Sequence, residues 1–174
     1  SPDALMDELG EALKTEGRSP SILRFAGDLA ARVGREDAAL DYYHQALDMS
    51  LEDLDIIVDR LIFLSDTRSA LKEILPETAA AYYRLSEVLA DRWRFALARE
   101  YWEQARQMQG LAITKDAPGN LVRNGRFEDP FGSHFLDWKF APRRGVEYER
   151  GGEGIGGLAL NLNDAPRSFF HLTQ

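Results

Sequence analysis

The chain of 174 residues contains no cysteine. This absence excludes disulfide bonds, thiolate catalysis and zinc sites built from cysteine. It does not fix the compartment, because a cysteine-free protein suits both the cytosol and the periplasm.

Long apolar runs are also lacking. The longest candidate, Ile56 to Leu64, is interrupted by Asp59 and Arg60, whereas a membrane-spanning helix needs about 20 apolar residues. No signal peptide is visible at Ser1. The chain has no initiator methionine and starts within a helical pattern, so we interpret it as a piece of something longer, with an earlier signal left open.

No catalytic constellation is found. The three histidines, His44, His134 and His171, are far apart and lack metal-ligand spacing. Residues 152–157 formally match the glycine pattern of a dinucleotide-binding loop. That pattern requires a following helix, whereas an alternating, strand-like segment follows here, so a hairpin loop is the better interpretation. We therefore expect no enzymatic activity and no cofactor.

Acidic residues outnumber basic ones in residues 1–110, by 21 to 13. The net charge is -8, and all of it falls in residues 1–110, because residues 111–174 carry eight basic and eight acidic side chains. This distribution argues against nucleic acid as a ligand and favours a basic peptide. The alternative is that the acidic excess only maintains solubility.

What the chain does contain is a 34-residue template that occurs twice, in Pro20–Asp53 and in Ala79–Ala112. In both segments, small residues fall where two antiparallel helices would touch, and large residues fall where a neighbouring repeat must be filled. The first segment supplies Leu23, Ala26, Gly27, Ala30, Ala39, Tyr43 and Ala46, and the second supplies Tyr82, Leu85, Ser86, Leu89, Ala98, Trp102 and Ala105 at the same offsets.

This pattern resembles the tetratricopeptide repeat, a helix, a short turn and an antiparallel helix. The first segment departs from it in having Leu23 and Leu51 at positions where tryptophan and proline are usual, and the second has Trp93 at the turn glycine. The resemblance implies a mainly α fold, an α-α superhelix of about seven helices over residues 1–110. It also implies a non-enzymatic scaffold that binds a protein or peptide partner.

Two further segments fit the array. Asp3 to Glu16 is amphipathic and predicts the second helix of a repeat. Leu54 to Thr78 predicts a shortened repeat, with a turn over Asp66–Ser69 and a second helix over Ala70–Leu75. The alternative for this segment is one long helix followed by a linker.

In tetratricopeptide repeats, offsets 2, 5, 9 and 12 of the first helix line a concave groove. Carried onto this chain, the resemblance implies Arg24, Asp28, Tyr83 and Glu87 as partner-binding residues, with charge and aromatic contact gripping a peptide. The alternative is that this face is only exposed, or is covered by the C-terminal segment.

The sequence changes character at Gly110. Residues 111–118 are predicted as a linker, and residues 119–174 show the alternation of half-buried strands. The phrase Asn120 to Glu128, followed by Trp138, is similar to the opening of a galactose-binding-like β jelly roll, the fold of many carbohydrate-binding modules. Only four or five strands fit, so we expect this β-sandwich domain to be incomplete.

The jelly-roll resemblance implies a structural calcium ligand at Glu128, with a surface carboxylate as the alternative. It implies a sugar-stacking role for Trp138, although the alternation around it favours a core position. It also suggests work in bacterial envelope or polysaccharide assembly, and a periplasmic or envelope location over a cytoplasmic one. The alternative function is a carbohydrate-binding protein with the helices as a spacer.

Overall fold

A computed structural model describes residues 2–15, 18–62, 66–111, 134, 137, 139–140, 146–150, 158–162 and 172–173. Within these ranges the chain is mainly helical, which confirms that part of the predicted fold class. The seven described helices are α1 (Pro2–Thr15), α2 (Pro20–Arg32), α3 (Glu36–Met49), α4 (Leu54–Leu61), α5 (Thr67–Ile74), α6 (Ala79–Asp91) and α7 (Phe95–Met108).

The two segments that share the 34-residue template form matching helical hairpins. Helices α2 and α6 both have 13 residues, and α3 and α7 both have 14. Each hairpin begins with a hydroxyl cap. The side chain of Ser19 accepts a hydrogen bond from the backbone N–H of Ile22 at 3.3 Å, and Thr78 accepts one from Ala81 at 3.2 Å.

The turns between the paired helices also match. Gly34 has φ +76° and Trp93, at the same offset, has φ +59°. Both backbones therefore adopt the left-handed conformation that ends the first helix and starts the second. Glycine adopts it without penalty, whereas a bulky residue does so at a cost.

The middle segment contains two short helices, α4 and α5, rather than one long helix followed by a linker. The expected turn over Asp66–Ser69 is wrong in its extent. The side chain of Asp66 caps α5 by accepting a hydrogen bond from the backbone N–H of Ser69 at 3.0 Å, so the helix begins at Thr67.

Packing arranges the helices in two layers. Helices α4 and α6, each the first of a pair, lie against one another, and α5, the second of its pair, packs on α3. Leu9 and Leu13 of α1 pack with Leu23 and Ala26 of α2. This repeat-like packing of hairpins buries a main cluster that includes Trp102, Tyr43, Leu47 and Ile57, and a smaller cluster around Leu23 where α1 meets α2.

Beyond the helices, the described strands are β1 (Lys139–Phe140), β2 (Val146–Arg150), β3 (Leu158–Leu162) and β4 (Leu172–Thr173). Strands β2 and β3 are antiparallel with Val146 opposite Leu162, and β1 pairs with β4. Most of residues 112–174 lie outside the described part of the chain, so the jelly roll and the linker stay predictions.

Candidate functional site

The face of α2 that the sequence marks as a partner surface carries a compact ionic cluster. The guanidinium of Arg24 donates from Nη1 to Asp28 Oδ2 at 3.0 Å and from Nε to Asp53 Oδ2 at 2.9 Å. The three side chains are between 12% and 23% exposed. They are thus held by one another while each remains accessible from outside.

Asp28 is the centre of this cluster. Its Oδ1 accepts a hydrogen bond from the Tyr43 hydroxyl at 2.8 Å and lies 3.6 Å from Arg60 Nε. Burial raises the pKa of Tyr43 well above its usual range, and the hydrogen bond to Asp28 raises it further. The cluster therefore joins α2 to α3 through the Tyr43 phenol, which keeps its proton, and α2 to α4 through Arg60.

On α6, the predicted pair Tyr83 and Glu87 has a different environment. Tyr83 is 3% exposed, and its hydroxyl donates to Gln109 Oε1 at 3.0 Å. The imidazole of His134, from beyond the helices, lies parallel to the Tyr83 ring at 3.8 Å between centroids. Glu87 is half-buried, with Oε1 3.6 Å from His134 Nδ1.

A second contact lies beside this stack. The carboxylate of Asp137 is 3.5 Å from Arg106 Nη1, and both side chains are at most 7% exposed. Arg106 also lies over the indole of Trp102, 4.9 Å from the ring centroid. A buried carboxylate thus faces a guanidinium that already has an aromatic contact on α7.

The residues His134 and Asp137 are joined to each other as well. The backbone N–H of His134 donates to Asp137 Oδ2 at 3.1 Å, and the N–H of Asp137 donates to the His134 carbonyl at 3.0 Å. These reciprocal bonds hold the backbone of His134 against the backbone and carboxylate of Asp137.

Sequence reasoning placed Arg24 with Asp28 and Tyr83 with Glu87, and the structure holds each pair on one helix face. It missed Asp53, Tyr43 and Arg60 around Asp28, and it missed Arg106. The signal available for Arg106 was a guanidinium directly after Ala105, a close-contact position of the template. Trp138 and Glu128 lie outside the described residues.

Among the described residues, no group of three or more His, Asp or Glu side chains is arranged to hold a metal ion. None of the helices in that part of the chain has the length and apolar character required to cross a membrane. No protein-family model matches the chain, and comparisons with curated proteins and with solved structures give no match.

Proposed function

We propose that this protein is a non-enzymatic scaffold whose helical array binds a protein partner along the face of its first helices, α2 and α6. The face is defined by Ser21, Arg24, Asp28 and Ala31 on α2 and by Ala80, Tyr83, Glu87 and Ala90 on α6. Repeated hairpins suit this role because stacking presents equivalent helix faces side by side.

The single observation that carries the proposal is the contact of His134 with the α6 face. A residue from outside the helices stacks on Tyr83 and approaches Glu87, so this face accepts a polar and aromatic segment of polypeptide. Face-to-face ring contact and charge are the interactions that anchor peptides in partner interfaces.

The ionic cluster around Arg24 supports the same role. Arg24, Asp28 and Asp53 are partly desolvated and already fixed in position. Groups held in advance lose little conformational entropy when a partner arrives. The acidic balance of residues 1–110 favours a partner segment with positive charge.

Site-specific photo-crosslinking in an extract of the source cells tests the proposal. A photoreactive amino acid is placed at the exposed positions Ser21, Ala31 or Ala80 of the first-helix face, in the full chain. We expect the same protein to be crosslinked from both α2 and α6.

The matched control places the same amino acid at Asp41 of α3 or Lys72 of α5, which are equally exposed on second helices. Crosslinks to one protein from the first helices alone support the proposal. Equal crosslinking from second helices, or none from the first, contradicts it.

A role in envelope or polysaccharide assembly, a periplasmic location, calcium binding at Glu128 and sugar binding at Trp138 all depend on the jelly-roll resemblance. They stay predictions.

A further inference from the structure

Three residues of the last hairpin form a surface with a defined chemical preference, which we call the Tyr83 surface: Tyr83, Glu87 and Arg106. It offers a flat aromatic ring, a half-buried carboxylate and a buried guanidinium. His134 and Asp137 contact all three, by a parallel stack at 3.8 Å, an approach of 3.6 Å and an ion pair at 3.5 Å.

We propose that the His134–Asp137 pair is an internal ligand of the Tyr83 surface, and that the partner competing for it presents a histidine and an aspartate three residues apart. This inference rests on the proposed function and names both the partner's chemistry and how access to the site is controlled. While the internal pair is bound, a partner must displace it.

The carboxylate requirement follows from burial. Arg106 and Asp137 are at most 7% exposed, so an occupant without a carboxylate would give up an ion pair that the internal pair makes in a buried place. Losing one partner of a buried, close charge pair weakens binding.

The preference for histidine over a ring without an N–H, such as phenylalanine, follows from Glu87. A stack on Tyr83 alone would suit any flat side chain, but Glu87 Oε1 lies 3.6 Å from the imidazole Nδ1. A ring that carries an N–H at that edge gains an electrostatic contact that phenylalanine cannot make.

The internal pair also lowers the apparent affinity of any partner for the Tyr83 surface. Because the pair belongs to the same chain, its effective concentration at the surface is that of a tethered group, on the order of millimolar. A separate peptide with the same residues competes against that concentration, and disabling the internal pair removes the competition.

The test is a fluorescence-anisotropy titration of a labelled peptide with the sequence of residues 131–140, added to the full chain. The parent chain is compared with His134→Ala/Asp137→Ala. We expect the double variant to bind the peptide at least about ten-fold more tightly than the parent, because its own pair no longer competes.

Two matched controls make the result specific. His44→Ala/Asp48→Ala removes the same residue types from α3, where His44 Nε2 lies 3.4 Å from Asp48 Oδ2 and His44 Nδ1 lies 3.2 Å from the Ile74 carbonyl oxygen, and it should bind the peptide as weakly as the parent. A peptide carrying Asp137→Asn should bind the double variant at least about ten-fold more weakly than the unchanged peptide.

Equal affinity of the parent and the double variant for the peptide would overturn the proposal. If the double variant also melted at a lower temperature than the parent, the His134–Asp137 pair would be a structural cap of the last hairpin. Equal affinity of the two peptides would also overturn it, because the carboxylate would not be recognised. If the parent sediments as a dimer that the double variant does not form, the pair is exchanged between copies and is no internal ligand.

Should the double variant lose helicity, Asp137→Asn in the chain keeps the side-chain shape and is expected to raise peptide affinity in the same direction. The crosslinking experiment distinguishes failure of the scaffold proposal from failure of the internal-ligand proposal. Crosslinks from Ser21 and Ala80 without peptide binding would leave the scaffold standing and reject the internal ligand.

Discussion

At the scale of single residues, Gly27 shows how closely α2 and α3 approach. A Cβ atom added there would lie 2.5 Å from Cε1 and 2.6 Å from Cδ1 of Tyr43. The Tyr43 ring has little freedom to move, since it is 1% exposed and its hydroxyl is bonded to Asp28. The absence of a side chain at position 27 therefore sets the distance between the two helices.

We expect Gly27→Ala to lower the free energy of unfolding by about 1–3 kcal/mol, because the overpacked Tyr43 must shift and strain its bond to Asp28. Urea denaturation followed by circular dichroism measures this change. The control is Gly10→Ala in α1, where an added Cβ meets nothing within 4 Å.

In that open position, alanine favours the helix by up to about 1 kcal/mol, so Gly10→Ala should stabilise the protein or leave it unchanged. A loss at position 10 as large as that at position 27 would mean that the close contact with Tyr43 is not the cause.

Small residues at close-contact positions could be predicted from the sequence, because Gly27 and Ser86, and likewise Ala39 and Ala98, occupy the same offset of the 34-residue template, and all four are buried. The ionic cluster of Arg24, Asp28 and Asp53 could not be predicted from the sequence. Arg24 and Asp53 are 29 residues apart, and their contact depends on the angle at which the chain leaves α3, which residue patterns do not encode.

At the scale of elements, the two inter-helix turns have the same backbone and different side chains. The N–H of residue 34 donates to the Ala31 carbonyl at 3.1 Å, and that of residue 93 donates to Ala90 at 2.9 Å. Trp93 is 81% exposed, so burial of its side chain does not compensate for the left-handed conformation. The indole ring of Trp93 makes an edge-to-face contact with the ring of Phe95.

We expect Trp93→Gly to be more stable than Trp93→Ala by about 1 kcal/mol. Both variants lose the contact with Phe95, but only glycine relieves the left-handed conformation. Thermal and urea unfolding of the two variants measure the difference directly.

The reciprocal change is the control for the turn. Gly34→Ala has room for its Cβ, with nothing within 4 Å, so it should be destabilised by a similar amount through the backbone alone. Equal stability of Trp93→Gly and Trp93→Ala would contradict a conformational cost at this turn.

Helix positions were more predictable than helix ends. Apolar periodicity identified α1, α2, α3, α6 and α7, because a buried stripe repeats over three turns or more. The start of α5 was missed because Asp66, Thr67 and Ser69 suit a turn as well as a capped first helical turn, and only the bond from Ser69 to Asp66 decides between them.

At the scale of the whole molecule, the sequence predicted a mainly helical array, and it left open whether the C-terminal segment covers the α6 face. The contacts of His134 and Asp137 could not be derived, because no periodic pattern relates them to Tyr83 or Arg106. The alternative that this segment covers the face agrees with their positions. Under the proposed function, a partner must displace these contacts to reach the α6 face.

Buried tyrosines also link the whole fold to pH. Burial, followed by the charge of Glu100 and the neighbouring Tyr82, raises the pKa of Tyr101 to about 12. An unfolded tyrosine ionises near pH 10. The folded state therefore keeps a proton that the unfolded state loses first, so the stabilisation is complete below about pH 10 and disappears as the pH rises toward 12.

We expect Tyr101→Phe to lose less stability than the parent between pH 9 and pH 11, by roughly 1 kcal/mol, because the variant has no phenol to ionise at that position. Urea unfolding curves at each pH give both free energies. Any constant cost of the substitution cancels, since only the change with pH is compared. Parallel losses in the two proteins would contradict the argument and assign the alkaline sensitivity to other groups, among which Tyr43 and Tyr82 also have a raised pKa.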